Sequence, residues 1–161
     1  MINDNVKYTG EMTGKIRSGF GLQNWKDGAK YTGFWLLNKA NGLGSFLHSD
    51  GVLYRGEFID DRFCGYGLYH QLSGAIYEGT WVDDLQLNEG CEVWKDNSQF
   101  IGNYVKGKKH GLGKYTWGDG SIYEGEWHEN SLHGYVRLSL KHREYTCLKT
   151  EGFLSGNGRI I

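Results

Sequence analysis

His110 and His133 are the first residues to test for chemistry, because imidazole is a ready general base near neutral pH and a common zinc ligand. Each stands directly before a glycine that recurs along the chain, and the same slot holds Ser18, Asn41 and Cys64 elsewhere. No carboxylate or second histidine recurs beside them at ligand spacing, so a place in a pattern accounts for them better than catalysis or metal binding. Asp27, Asp50, Asp96 and Asp119 fall one per pattern unit in turn-like contexts, whereas acid–base chemistry needs carboxylates that converge. Gly42-Leu-Gly44 and Gly111-Leu-Gly113 look like part of a dinucleotide loop, but no helix follows to offer its N-terminus to a phosphate. Cys64, Cys91 and Cys147 are odd in number and widely spaced, which fits reduced thiols rather than a disulfide framework or a paired-cysteine zinc site. The residues therefore call for no catalytic group, no metal and no cofactor, and the chain reads as a non-enzyme.

Binding chemistry is better represented. Lys106, Lys108 and Lys109 form the one local basic cluster, a weak candidate for a phosphate or lipid headgroup and more simply a solvated hairpin tip. The formal charge of −1 hides a pattern along the chain. Residues 1–49 carry six Lys/Arg against three Asp/Glu, residues 50–100 carry three against ten, and residues 101–161 carry nine against six. A surface for nucleic acid or an anionic bilayer spreads cations along the face it uses, so the acidic centre excludes nucleic acid and weighs against a membrane partner. The polar start Ile2-Asn3-Asp4-Asn5, and the lack of an apolar run near the ~18 residues of a membrane helix, predict a soluble, intracellular, cytoplasmic protein.

The richest candidates are aromatic. Tyr8, Tyr31, Tyr54, Tyr77, Phe100 and Tyr123 recur every 23 residues, each followed two places later by Gly10, Gly33, Gly56, Gly79, Gly102 or Gly125. Two places further stand Met12, Trp35, Phe58, Trp81, Tyr104 and Trp127. Nine residues after that first glycine comes a Gly-x-Gly pair, as in Gly42/Gly44, Gly65/Gly67 and Gly111/Gly113, with Asn88/Gly90 and Gly134/Val136 as weaker copies. A seventh, degenerate unit follows if one residue is deleted: Tyr145, Cys147, Lys149, then Gly156-Asn157-Gly158. Such a unit suits a terminal cap.

These groups need strands to position them. With 26 glycines and no proline in 161 residues, helix is disfavoured and short strands remain. Alternation puts Tyr, Gly and the second aromatic on one face, with the glycine leaving room for rings from neighbouring units, while Glu57, Glu78 and Glu124 mark a wet opposite face. Asp27-Gly28, Asp50-Gly51, Ser73-Gly74, Asp96-Asn97 and Asp119-Gly120 read as tight hairpin turns, and Leu36 to Asn41 as a longer polar loop. The prediction is one all-β array over residues 1–161: an elongated, single-layer antiparallel meander of about seven 23-residue hairpins, roughly 65 Å long at the usual strand spacing. Its aromatic face is the candidate partner groove, built from Tyr31, Trp35, Tyr54, Phe58, Tyr77, Trp81, Phe100, Tyr104, Tyr123 and Trp127. The last hairpin leaves an unmatched edge that invites self-association.

Tyr31-Thr-Gly-Phe-Trp35 with Asn41-Gly-Leu-Gly44, and Tyr123-Glu-Gly-Glu-Trp127 with His133-Gly134, resemble the MORN repeat (membrane occupation and recognition nexus), and the resemblance runs from Tyr8 to Gly158. Met12, Asn88, Val136 and the seventh unit depart from it. The resemblance implies a single-sheet array with a groove on one side. Members built almost wholly of repeats look like scaffolds in ciliary radial spokes, cytoskeletal collars or membrane junctions, so it further implies a structural protein in a ciliary, axonemal or cytoskeletal assembly. A peripheral phospholipid-binding tether and a regulatory subunit of a separate enzyme are the alternatives, because a fold does not fix a function.

Overall fold

A computed structural model describes residues 6–140 and 143–150. It contains thirteen strands among those residues and no helix: β1 Val6–Thr13, β2 Ile16–Trp25, β3 Lys30–Leu36, β4 Lys39–Leu47, β5 Leu53–Ile59, β6 Arg62–His70, β7 Ile76–Val82, β8 Leu85–Val93, β9 Gln99–Val105, β10 Lys108–Thr116, β11 Ile122–His128, β12 Ser131–Leu140 and β13 Arg143–Thr150. They follow one another in sequence order through one antiparallel meander sheet. The chain divides into two compact units, Met1–Leu85 and Gln86–Ile161.

Four repeats are organised by one ring, Tyr8, Tyr31, Tyr54 or Phe100, lying over two glycines. Gly33 and Gly44 face each other across β3 and β4, and the Tyr31 ring covers the pair. A Cβ on Gly44 would fall 2.6 Å from the Tyr31 hydroxyl, and one on Gly33 would fall 2.5 Å from the Gly44 Cα. Tyr54 covers Gly67 in the same way, and Phe100 covers Gly113. These glycines are needed for close approach, not for an unusual backbone angle. The Tyr31, Tyr54 and Tyr123 hydroxyls then donate to the carbonyls of Phe34, Glu57 and Glu126, three residues on, at 2.8–3.0 Å. The polar end of each buried phenol is thereby satisfied.

Rings also join the repeats. Tyr31 meets Trp35 of its own repeat at 4.9 Å and Phe58 of the next at 5.0 Å, both edge-on. Tyr54 repeats the arrangement with Phe58 and Trp81, and in the second unit Phe100 does so with Tyr104 and Trp127. Edge-to-face pairs add about 0.5–1.5 kcal/mol each beyond the area they bury. The core of a one-layer sheet is thus a ladder of T-shaped contacts along one face.

The first glycine of each Gly-x-Gly pair has a different task. Gly19, Gly42, Gly65, Gly111 and Gly134 have φ between 62° and 87°, where the second strand bulges. Asn88 takes the same conformation at φ 58°, which asparagine tolerates, so this departure from the glycine pattern leaves the bulge intact.

The link lengths reverse the expectation. The Leu36 to Asn41 stretch is no loop: only Leu37 and Asn38 separate β3 from β4, both at positive φ (48° and 69°), a two-residue turn of the primed kind. The bulge lengthens the second strand backwards, so Lys39 and Ala40 already pair with Leu36 and Trp35, and Asn41 continues the strand. The Asp-Gly links are the longer ones, with residues 26–29 between β2 and β3. Gly28, Gly51, Gly74, Asn97 and Gly120 are left-handed as expected, and each turn acid or serine accepts the N–H two residues on, as Asp119 does from Ser121 at 2.8 Å.

Each two-residue turn docks on the preceding repeat. The Asn38 N–H donates to the Arg17 carbonyl at 3.1 Å, and the Arg17 N–H donates back to the Asn38 side chain at 2.8 Å. The same clamp joins Asp61 to Ala40, Asp84 to Phe63 and Asn130 to Lys109. Gly107 keeps the backbone half alone, to Gln86 at 2.9 Å.

The degenerate seventh unit begins in register. Tyr145 pairs with Leu138 as Tyr54 pairs with Phe46, and the pairing then shifts between Arg137 and Val136. Gly156-Asn157-Gly158 lies outside the described residues.

The two glycine roles make opposite predictions. Gly67→Ala puts a Cβ 2.4 Å from the Tyr54 hydroxyl and should cost about 3 kcal/mol, an overpacking penalty. Gly111→Asn, at a position with a nearest side-chain neighbour 3.9 Å from the new Cβ, should cost less than about 1 kcal/mol. Urea unfolding followed by tryptophan fluorescence measures both.

Candidate aromatic groove

The ten rings read as the candidate groove are buried in the sheet's own core. None of Tyr31, Trp35, Tyr54, Phe58, Tyr77, Trp81, Phe100, Tyr104, Tyr123 and Trp127 is more than 9% exposed. In the first unit Tyr31, Trp35 and Phe58 form the bottom of a groove of about 390 Å3. Its accessible sides come from the second strands: Trp25 and Phe46, edge-on at 5.9 Å, and Phe63. These side chains are half-buried, as are Tyr69 beside Phe63 and, in the second unit, Trp94, Tyr115 and Trp117. Their signal was present in the sequence, since counting by twos from each Gly-x-Gly pair gives Gln23-Trp25, Phe46-His48, Tyr69-Gln71 and Tyr115-Trp117 on the floor's face.

One position per repeat varies, and where it holds Arg17, Phe63 or Lys109 the side chain lies against a floor ring. It holds Arg17, Ala40, Phe63, Gln86, Lys109 and Leu132 at 23-residue intervals. Phe63 stacks flat on Tyr54, 3.8 Å between centroids and 8° between planes. Arg17 lies 4.1 Å from the Trp35 ring centre, where the guanidinium meets the π face. Its fork donates to the Asn38 carbonyl at 2.6 Å and to Gln23.

The three lysines do not act together. Lys106 is the first residue of the β9–β10 turn and Lys108 pairs with Glu129 at 3.1 Å, both exposed as a hairpin tip should be. Lys109 departs from that reading. It turns into the aromatic face, 4.7 Å from the Trp94 ring centre, and its ammonium donates to Glu92 at 2.8 Å with the two side chains only 14% and 12% exposed. The Tyr104 hydroxyl donates to the same carboxylate at 3.2 Å. A partly buried pair of this kind is held by geometry, and losing one partner strands the other's charge.

Elsewhere the polar groups serve the fold. Glu11 and Glu57 accept the N–H groups of Phe20 and Tyr66 at the bulges. His110 and His133 are drawn toward His128, with ring centroids 4.9 Å and 5.7 Å from it, a neighbourhood their separate repeats did not reveal. Among the described residues no three His, Cys, Asp or Glu side chains are placed to hold a metal ion. Cys64 and Cys91 are free thiols. The opposite face of the first unit is less polar than its glutamates implied, because Phe20 and Phe34 pair edge-on at 5.5 Å with about half of each ring exposed. Among the described residues no helix is long and apolar enough to cross a membrane.

Burial pushes the Tyr31 and Tyr54 phenols well above their ordinary range, and takes Tyr123 from 10.0 up to about 12. A raised folded-state pKa means the unfolded chain loses the proton first, so this stability is complete below about pH 10 and is lost as pH rises through 12. Absorbance at 295 nm should therefore show the exposed tyrosines ionising first and the anchor tyrosines only together with loss of the sheet's circular dichroism signal. In the second unit, Glu92→Ala should destabilise the fold by about 2–3 kcal/mol, below the figure for a fully buried pair. Adding Lys109→Met should recover most of that loss in the same thermal melt.

No curated protein matches the chain. Among solved structures it is similar to the SAS-4 (dCPAP) TCP domain of Drosophila melanogaster, solved in complex with a proline-rich motif of Ana2 (dSTIL), at 7% identity and a TM-score of 0.46, covering 88% of this chain and 96% of that one. The MORN repeat model matches residues 8–30, 31–52, 54–74, 77–99, 100–122 and 123–135. Six matched copies across most of the chain mean that it belongs to the MORN repeat family, a family of repeat proteins for protein or membrane interaction.

Proposed function

We propose that this chain is a non-enzymatic scaffold that holds a segment of another protein along its aromatic groove. The observation that carries the reading is the division between floor and sides. The floor rings are closed off and complete the sheet's own core, while Trp25, Phe46 and Phe63 stand half-buried above it, with no second layer among the described residues to cover them. Half-covered aromatic side chains around a cleft are the usual anchors of protein interfaces. A recessed cleft suits an inserted segment better than a bilayer surface, and the acidic centre of the sequence repels anionic headgroups. Carboxylates such as Asp50, Glu57 and Glu92 serve a turn, a bulge and an ion pair, which supports the non-enzymatic reading.

The setting we propose is a cytoskeletal assembly, ciliary or axonemal, on the strength of the resemblance to repeats-only members. A phospholipid tether is the second reading, favoured by the cationic excess at residues 1–49 and 101–161.

The test uses variants that the repeat itself shows to be tolerated. Ala40 fills the slot of Phe63, and His48 fills the slot of Trp25 in the next repeat. Trp25→His/Phe63→Ala should therefore fold normally. The tagged wild-type chain should remain in the pellet when source cells are extracted with mild detergent, and the double variant should move to the soluble fraction. Release of the wild-type chain by detergent alone would transfer the case to the membrane reading.

A further inference from the structure

We infer that the groove of the first unit selects a basic segment, through Asp61 and Asp84 acting as a pair of charge-reading residues on its side. The inference rests on the groove being a protein-binding surface and adds the chemistry of the partner.

Both aspartates line the groove, both are exposed, and both occupy the clamp position of the two-residue turn. There Asp61 accepts the Ala40 N–H at 2.7 Å and Asp84 accepts the Phe63 N–H at 2.8 Å. That structural task does not need a charge. Asn38 performs it for Arg17 at 2.8 Å and Asn130 for Lys109 at 2.9 Å, with the same oxygen and the same left-handed backbone. The negative charges at 61 and 84 are therefore additional to the clamp, and they fall in the repeat that holds the stacked Phe63 and in the one after it.

Nor are these charges absorbed internally. The turn residues just before them are the ones that hold the local cations: Asp60 pairs with Lys39 and Asp83 with Arg62. Arg62 also lies within electrostatic reach of Asp84, but its direct bond goes to Asp83. Arg17, the cation in the groove lining, has its fork turned to Gln23 and the Asn38 carbonyl and its face on Trp35. The groove thus offers apolar rings with two carboxylates one repeat apart, which is two strand spacings or about 10 Å. Three residues of polyproline II or two turns of helix separate same-face side chains by about that distance. A complementary partner carries arginine or lysine at this interval between apolar side chains, and lipid phosphate is repelled by the same carboxylates.

Fluorescence anisotropy on the full chain tests this with labelled twelve-residue peptides. One set is built on an Arg-Pro-Leu repeat and one on an alanine-leucine helix with arginine every seventh residue, each with glutamine and glutamate counterparts. At low salt at least one arginine peptide should bind, about tenfold more tightly than its glutamine counterpart, as two exposed charge pairs allow. The glutamate peptide should be weaker still. Asp61→Asn/Asp84→Asn, which keeps both clamp bonds and should keep the wild-type melting temperature, should bring the arginine and glutamine peptides to equal affinity. Equal binding of all three charge forms to the wild-type chain would overturn the charge selection and leave the groove reading standing. Binding of no peptide, or of phosphatidylserine vesicles in their place, would overturn both.

Discussion

A tyrosine laid flat over a pair of facing glycines sets almost everything else in this molecule. A one-layer sheet has no opposing layer against which to bury side chains, so its rings must be buried against its own backbone, and only a strand without Cβ lets them descend that far. Tyr54 over Gly56 and Gly67 shows the result: a large side chain with no exposure, its hydroxyl bonded to the Glu57 carbonyl. Once the ring is down, the aromatic four residues on and its counterpart in the next repeat can meet its edges. Strand register, burial and contact between successive repeats follow from this single approach.

Repeats that touch only their neighbours need a strong interface at each step, because stability is close to a sum of nearest-neighbour terms. Two contacts supply it here. The T-shaped ladder works on the groove face, and the turn clamp works at the strand ends, where Asp61 and Ala40 exchange side-chain and backbone bonds. The clamp also explains a strained choice. Leu37 holds φ 48°, which costs on the order of 1 kcal/mol for such a residue. Position 38, next to it, is left-handed and in four of the five turns that dock on a preceding repeat carries a short side-chain acceptor, Asn38, Asp61, Asp84 or Asn130, with Gly107 the exception, while the first turn position varies among Leu, Asp, Lys and Glu.

The sequence made the repeat, the aromatic face and the glycine's purpose readable, because a 23-residue period in residue type directly reports which side chains share a face. Link lengths were less readable. A Gly at the start of Gly-x-Gly looks the same whether it closes a loop or kinks a strand, and only the pairing of Trp35 with Ala40 shows that Lys39 to Asn41 are strand. The clamp was also written in the sequence as Asn38, Asp61, Asp84 and Asn130, but a hydrogen bond spanning 21 residues has no local signature. Accessibility was the hardest to read. Trp35 and Trp25 are equally hydrophobic and lie on one face, and what separates floor from side is how far each stands from a glycine pair.

This separation has a consequence for how such a surface changes its partner. The floor rings cannot vary without losing the burial that makes the sheet, since Tyr31, Tyr54 and Phe100 each touch both their own repeat and the next. The slot above them already varies within this one chain, from Arg17 through Ala40 and Phe63 to Lys109, and the clamp accepts either a neutral or a charged oxygen. Specificity is therefore carried by positions whose identity the fold does not fix. Where the fold asks only for an oxygen and aspartate is present, as at Asp61 and Asp84, the extra charge has no work to do inside the sheet, and what lies in the groove is the place where it acts.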